Sequence, residues 1–481
     1  MKRTTLCLVA FVATTALMAA PALAQSAGAL SATHPHIKSV TAITEVFGDG
    51  QKITAAAVEY DKVIDNSRLT ASTFTVTGRT IMKVYANSSA AKASHGVNGR
   101  YAIIELSTAD EAASIIPAMG GMGGPGGQAR SSGQGGSGIQ GSPGGPGGRS
   151  GLGGPGEQAG SAGPGGPSGQ AQSQRGMRGP TRRPVKVSVT QAGTVTTASG
   201  EKYPAVANAI ENDNAINLIV DDFRRFVYKD PESGISLMYN LFIPKDYDSK
   251  KLYPLLLFMH DASVTSSEPD RTLIQGIGAV IWATPGEQAR HPAFVLAPQD
   301  NGQTGTDPKS SRDLYVRLVN YVVSQYSIDK KRLYTTGQSA GCMRSIAIDN
   351  KYPDLFAASL LVAGQGDAQE MLAMIHEKIW IIVSEGDFRA FPGMNASVEA
   401  WEKAGAKVAK GRWSAREPQE VQAANVAKMI AEHTNIMYTT YIQGTTQPPG
   451  KEDPNQTEHM TSWQFAYAIP AVRDWLFAQS K

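Results

Sequence analysis

Arg332-Leu333-Tyr334-Thr335-Thr336-Gly337-Gln338-Ser339-Ala340-Gly341-Cys342-Met343-Arg344-Ser345-Ile346-Ala347-Ile348 reads as three things in succession. The first five residues have the pattern of a short buried strand, and the residues from Cys342 on can open a helix. Between them lies a G-x-S-x-G turn, Gly337 to Gly341. A turn this tight leaves no room for side chains two residues either side of its centre, hence the two glycines. It pushes Ser339 into an exposed, strained conformation at the carboxyl edge of a sheet. The helix start behind it offers free N–H groups that favour developing negative charge. The five letters alone are common. The strand before them and the helix after them make Ser339 a nucleophile rather than part of a structural Gly-Ser turn.

Outward from this stretch, residues from about 218 to 481 alternate strand and helix patterns. Strands are expected at 237–243, 255–259, 293–297, 332–335, 358–362, 379–383 and 437–442. Helices are expected at 311–326, 340–351, 396–404, 419–432 and 462–479. In the first helix Leu314, Leu318, Tyr321 and Val322 share a face. Short, wholly apolar strands alternating with helices mean a mostly parallel sheet covered on both faces. The fold class is α/β.

A serine hydroxyl is a poor nucleophile until a neighbouring base takes its proton. Behind a nucleophile elbow, the acid and base follow in the chain order Ser, Asp or Glu, His. Of the eight histidines, His376, His433 and His459 follow Ser339. His376 precedes the strand at 379–383 and so stands at its wrong end. His433 ends a helix, where a positive histidine simply complements the dipole. His459 lies in a polar loop after the last strand, from which an imidazole can reach over the sheet. The plain alternative is a solvated loop histidine. For the carboxylate, the strand at 379–383 runs out into Ser384-Glu385-Gly386-Asp387. Asp387 is preferred because Glu385 is still close enough to the strand to point sideways. Glu385 and Glu399 are the reserves, and a turn-bracing aspartate is the bland reading.

The oxyanion of an acyl transfer needs two N–H donors. One is expected at Ala340, directly after the nucleophile. The other comes from His260-Asp261-Ala262-Ser263, after the strand at 255–259. Ala262 is the choice, with Asp261 and Ser263 open beside it. Strands at this place often end in His-Gly, and here Asp261 replaces the glycine. His260 reads as a buried residue bracing the loop rather than as a proton carrier.

The rest of the chain is different in kind. Residues 35–106 alternate like strands at 37–47, 53–64, 74–84 and 101–106, with Gly48-Asp49-Gly50 as a hairpin turn. Further strands are expected at 185–189 and 193–197, which together indicate a β-sandwich. Between them, residues 120–180 hold 26 of the chain's 50 glycines in Gly-Gly-Pro-Gly-Gly units without strict Gly-X-Y periodicity. Such a stretch has little to bury, so ordering it would cost entropy without return. It reads as a disordered surface insertion, or more sharply as a tether to cell wall or polysaccharide. At the start, Lys2 and Arg3, the apolar run 6–18 and Ala22-Leu23-Ala24 form a signal peptide, with cleavage before Gln25. The expected division is thus a signal at 1–24, a β domain at 25–215 carrying the insertion at about 119–182, and a catalytic domain at 216–481. Export is implied, to periplasm or medium. Cys7 falls in the signal, so Cys342 is alone in the mature chain and has no disulfide partner. A net charge of +3 argues for neither nucleic acid nor an anionic membrane as partner. No apolar run is long enough to span a bilayer.

Several longer strings resemble one family. They are Ser39-Val40-Thr41-Ala42-Ile43-Thr44-Glu45-Val46-Phe47-Gly48-Asp49-Gly50, Phe294-Val295-Leu296-Ala297-Pro298-Gln299, Thr336-Gly337-Gln338-Ser339, Lys351-Tyr352-Pro353-Asp354-Leu355-Phe356-Ala357-Ala358 and Phe391-Pro392-Gly393-Met394-Asn395. Through them the chain resembles bacterial secreted esterases with an immunoglobulin-like N-terminal domain, near the polyhydroxybutyrate-depolymerase and feruloyl-esterase branch of α/β-hydrolases. Predicted peptidases of that group are similar too. The resemblance implies an α/β-hydrolase fold behind an immunoglobulin-like sandwich, with Ser339, Asp387 and His459 at the triad positions. Two departures stand out. Cys342 occupies a position where the family commonly has a second glycine, which would require the helix to pack slightly farther from the sheet. The Gly-rich tract also interrupts the first domain.

Together these readings give a serine carboxylic-ester hydrolase that acts through an acyl-enzyme, with an ester as its partner and with no metal or organic cofactor. The same three residues serve an amidase or peptidase equally well. A polymer-binding protein with a vestigial hydrolase domain is the reading from a different class.

Overall fold

A computed structural model describes residues 34–116 and 181–481. The expected signal segment and the Gly-rich tract as far as 180 lie outside the described residues. The described residues form two units: one from those before 117 together with Arg182–Asp222, the other Phe223–Lys481. The break falls after Asp222 rather than after 215. The reason is that Asn214–Asn217 adds a parallel strand to the first unit's sheet.

In the first unit the expected strands appear, one of them cut in two. Strands β1 (Ile37–Phe47) and β2 (Gly50–Ile64) form a hairpin around Gly48-Asp49, with Gly50 at φ 112°. The predicted strand 74–84 is two strands, β3 (Phe74–Val76) and β4 (Ile81–Asn87). Gly78, at φ 66°, turns the chain between them, so that β3 and β4 join different sheets. With β5 (Gly99–Leu106), β6 (Ser188–Gln191), β7 (Val195–Thr196), β8 (Lys202–Tyr203), β9 (Ile210–Glu211) and β10 (Asn214–Asn217), the sheets run β10-β1-β2-β5-β4, β3-β6-β9 and β7-β8. One core joins them: Val40, Ala42, Ala56 and Val58 from the large sheet meet Phe74, Val76, Val189 and Ile210 from the small one. Alternate residues along β1 and β2 supply that core, as the two-residue period of a strand requires.

The second unit is built on nine strands: β11 (Phe223–Lys229), β12 (Ser236–Phe242), β13 (Tyr253–Met259), β14 (Phe294–Gln299), β15 (Ile328–Gln338), β16 (Ala358–Val362), β17 (Ile379–Ser384), β18 (Val408–Trp413) and β19 (Ile436–Tyr441). Their order is β11-β12-β14-β13-β15-β16-β17-β19-β18. The pairs from β14 through β18 are parallel, and β12 runs antiparallel to both β11 and β14. Two edge strands, β11 and β18, escape a reading tuned to wholly apolar runs. Their sequences, FRRFVYK and VAKGRW, carry exposed charges because an edge strand meets solvent.

Helices cover both faces. They are α1 (Arg271–Ile274), α2 (Ile277–Val280), α3 (Pro285–Arg290), α4 (Pro308–Gln325), α5 (Ala340–Lys351), α6 (Ala390–Lys403), α7 (Gln419–Ile430), α8 (Trp463–Ala468) and α9 (Pro470–Phe477). Leu255, Leu257 and Met259 of β13 pack with Leu314, Leu318 and Val322 of α4. Ile379, Ile381 and Val383 of β17 pack with Met394, Val398 and Trp401 of α6. The alternate residues face the other way, where Phe258 meets Tyr467 of α8 and Trp380 meets Trp475 of α9 edge-on. Each fully buried aliphatic or aromatic side chain in these layers is worth about 1.5–3 kcal/mol. The expected helix 462–479 is two helices because Pro470 has no N–H to continue the first, and it begins the second. Helix α6 starts earlier than the predicted 396, since Pro392 and Gly393 sit in or beside its first turn, where proline is tolerated.

Candidate active site

Because β13, β15, β17 and β19 are parallel, their carboxyl ends open on one edge of the sheet. Ser339, Ala340, Asp387, His459 and Ala262, the five residues assigned to the site from the sequence, lie in the connections leaving that edge. Ser339 stands between β15 and α5 as the cap of the helix, with φ 52° and ψ −120°. A non-glycine residue in that conformation stores about 1–3 kcal/mol of strain. The surroundings hold it there: its N–H donates to Val362 O at 3.1 Å, and its carbonyl accepts from Met343 N at 3.0 Å.

The two motif glycines are dictated by contact. A Cβ on Gly341 would lie 2.0 Å from the carbonyl oxygen of Met259, and one on Gly337 would lie 2.5 Å from the carbonyl carbon of Gly341. The first residues of α5 thus lie against the end of β13. Cys342, fully buried, is accommodated directly after Gly341, in place of the further glycine expected there. The compensating glycine is Gly364, just past β16, whose Cβ would stand 2.4 Å from the Cys342 sulfur. Burial pushes the thiol pKa well up, so the group is an inert apolar filler.

His459 stands between β19 and α8. Its Nε2 is 2.8 Å from Ser339 Oγ, and its Nδ1 is 2.5 Å from Asp387 Oδ2. Asp387, just past β17, is fully buried. Its other oxygen accepts from the backbone N–H groups of Arg389 (3.1 Å) and Ala390 (3.0 Å). Those two bonds aim Oδ2 at the imidazole. An ionised carboxylate only accepts, so Nδ1 carries the proton and the Nε2 lone pair faces the serine hydroxyl. Trp463 packs edge-on against the imidazole at 5.4 Å. Ser339, His459 and Asp387 are therefore brought together in one hydrogen-bonded chain.

The reserve residues stand elsewhere. Glu385 turns sideways to Arg412 of β18 at 2.5 and 2.9 Å, and Glu399 is exposed on α6. His376 is exposed ahead of β17, and His433 is exposed beyond α7 in a left-handed conformation, φ 53°.

Ala340 is the first residue of α5, and Ala262 is the first residue of a single 3-10 turn, Ala262–Val264. N–H groups at such positions have no acceptor within their own helix. Ser263, one of the open alternatives, donates its N–H to Asp261 Oδ1 at 2.8 Å and so is already committed. The other Asp261 oxygen accepts from Gln338 Nε2 at 3.1 Å. The aspartate that replaces the expected glycine therefore ties the 260–263 loop to the residue before Ser339. His260 is buried with both ring nitrogens used: Nδ1 lies 2.6 Å from Asp261 O, and Nε2 accepts from Asp300 N at 3.0 Å. Burial holds its pKa below the ordinary histidine value, and the nearby Arg344 guanidinium adds to the effect. Arg344 in turn bonds Asp300 at 3.0 Å, both side chains buried. Asp261 stood out in the sequence only as an alternative N–H donor and as the replacement for a glycine, not for its side chain; Gln338, Asp300 and Arg344 were not singled out. Of these three, only Gln338, by adjacency to Ser339, carried a signal there.

Among the described residues, Glu287, His291 and Asp474 lie close enough together to share an ion. Arg290 bonds both carboxylates (2.6 and 2.7 Å) and Arg473 bonds Glu287 (2.8 Å), so the cluster is already neutralised.

The sheet order, the elbow and the chain order of its residues define an α/β-hydrolase fold, preceded by an immunoglobulin-like sandwich. Residues 39–204 match the family described as esterase Ig-like N-terminal domain, and residues 301–391 match the prolyl oligopeptidase family. A solved thermostable esterase is similar over 92% of this chain and 100% of its own, with 25% identity and a TM-score of 0.69. Acetylxylan esterase A of Emericella nidulans is 40% identical over 47 residues, and feruloyl esterase B of Talaromyces funiculosus is 39% identical over 49. Those matches take in 10% of this chain and only 16% and 14% of the two relatives.

Proposed function

We propose that the protein is an exported carboxylic-ester hydrolase in which Ser339 is the nucleophile, His459 the general base and then acid, and Asp387 the group that holds the imidazole tautomer. The observation that carries this reading is the chain of hydrogen bonds at 2.8 and 2.5 Å from Ser339 Oγ through His459 to Asp387. In the first half-reaction, Ser339 Oγ attacks the ester carbonyl as its proton passes to His459 Nε2. The tetrahedral oxyanion is held by the N–H groups of Ala340 and Ala262. His459 then gives the proton to the departing alkoxide, which leaves as the alcohol. Water repeats the sequence on the acyl-serine and releases the acid. The likeness to a solved esterase along nearly the whole chain supports an ester as the bond cleaved.

Kinetics on p-nitrophenyl acetate test this reading. Turnover by the wild type and its loss in Ser339→Ala are expected, and undiminished turnover by that variant would overturn it. The prolyl oligopeptidase match at residues 301–391 favours a second reading, a serine peptidase on the same residues. Faster cleavage of an N-acyl p-nitroanilide than of the matching ester would establish it. Export rests on Lys2, Arg3, the apolar run 6–18 and Ala22-Leu23-Ala24. Among the described residues, no helix is long and apolar enough to cross a membrane. An N-terminus at Gln25 in protein recovered outside the cytoplasm checks it.

A further inference from the structure

We infer that Glu458 is the positioning residue of the site, a buried clamp that sets His459 against Asp387. The inference rests on the hydrolase reading above. Glu458 is fully buried, one residue before His459. A carboxylate taken out of water is costly unless its oxygens are hydrogen-bonded, and here both are. One oxygen accepts from Ser384 Oγ at 2.5 Å and Thr446 Oγ1 at 2.9 Å. The other accepts from Gln447 Nε2 at 3.3 Å and, at closer range, from the backbone N–H of Gly444.

These donors come from two separate pieces of chain. Ser384 ends β17 and leads into the segment carrying Asp387. Gly444, Thr446 and Gln447 belong to the connection after β19. The backbone adds a further tie, since Glu458 N–H donates to Gly386 O at 2.9 Å. Gly386 is glycine because the carboxylate lies against it: a Cβ there would sit 2.6 Å from Glu458 Cδ. The next turn is held too, with Ser462 N donating to Glu458 O at 3.2 Å. The two residues flanking the proton path, Asp387 and His459, are thus fastened to each other twice. One fastening is their own hydrogen bond, and the other is Glu458 behind it. A side chain that merely filled space would need no such set of directed donors.

The test uses the full chain with Glu458→Gln, Glu458→Ala and Thr446→Val. Glutamine keeps one oxygen for Gly444 and Gln447 and presents its NH2 to two hydroxyls that can turn to accept, so it retains most of the turnover. Alanine removes the clamp. A displacement of about 1 Å between base and nucleophile costs on the order of 100-fold, so kcat for p-nitrophenyl acetate falls by about that factor while KM holds. The rate of labelling by a fluorophosphonate falls in parallel. A folded Glu458→Ala protein with wild-type kcat, or one whose loss appears in KM instead, would overturn the inference. Should the alanine variant fail to fold, as judged by thermal melting, Thr446→Val takes its place. It is expected to lose kcat at constant KM, and unchanged kcat there overturns the inference equally. Wild-type protein that neither turns over the ester nor reacts with the phosphonate would overturn the hydrolase reading itself. A reactive wild type with a fully active alanine variant removes only the clamp.

Discussion

Replacing Gly341 with alanine should disable the site without touching any residue that meets the substrate. The new Cβ would stand 2.0 Å from Met259 O, 2.5 Å from Met259 C and 2.8 Å from His260 O. A carbon closer than 3.0 Å to such atoms is not tolerated, so at least about 1 Å of relief is needed. All three neighbours are backbone, so none can swing aside. Either α5 moves away from the end of β13, or the 260–263 loop moves away from α5. Either motion shifts Ala340 relative to Ala262, the two donors proposed for the oxyanion. Overpacking of this kind costs about 1–3 kcal/mol of stability, and a 1 Å misplacement in a site costs on the order of 100-fold in rate. The assay is steady-state hydrolysis of p-nitrophenyl acetate alongside a thermal melt. A melting point lower by about 2–4 °C per kcal/mol lost is expected, with kcat down about 100-fold. Gly286→Ala, where nothing lies within 4 Å of the added Cβ, is the control and should match wild type in both. Wild-type kcat in Gly341→Ala would refute the claim that the turn's packing sets the oxyanion donors.

Three more outcomes follow from other contacts. Asp387→Asn should keep the fold but lower kcat by on the order of 10³–10⁴-fold, because the amide no longer enforces the tautomer; ester kinetics beside a melting curve check it. Gly364→Ala places a Cβ 2.4 Å from the Cys342 sulfur, so it should cost about 1–3 kcal/mol in urea unfolding. The same change should cost measurably less in a Cys342→Gly background. Asp349 is fully buried on α5 with Ser359 Oγ donating to it at 2.7 Å, and burial pushes its carboxyl up from 3.8 to about 8. A raised acid favours the folded state fully below pH 4, and that advantage is lost as pH rises through 8, at up to about 1.4 kcal/mol per pH unit. Urea titrations at pH 5, 7 and 9 should therefore show stability falling in the wild type and a flatter profile in Asp349→Asn. Equal slopes would contradict the shift.

Much of this was legible in the sequence because periodicity and chain order are local. The buried strands β13 to β17, the span of α5 and the order Ser339, Asp387, His459 all follow from apolar runs and turn residues close together in the chain. The edge strands β11 and β18 were not, since a solvent-facing strand mixes charged and apolar residues much as a loop does. Pro470 was visible, but the apolar pattern carried across it and hid the break between α8 and α9. The long-range partners of Asp261 and Glu458 could not be read at all. Gln338 is far from Asp261 in the chain, and Ser384 is far from Glu458. Only the parallel register of β13 with β15 and of β17 with β19 brings those side chains side by side. The room made for Cys342 by Gly364 is the same case: the motif showed the missing glycine, but its replacement sits on a neighbouring strand's exit.

The most direct test of the central claim is to treat the protein with a fluorophosphonate and map the adduct by mass spectrometry. A single adduct on Ser339, absent in Ser339→Ala and strongly slowed in His459→Ala, is the expected result. An adduct on another serine, or equal labelling of Ser339 when His459 is gone, would contradict it.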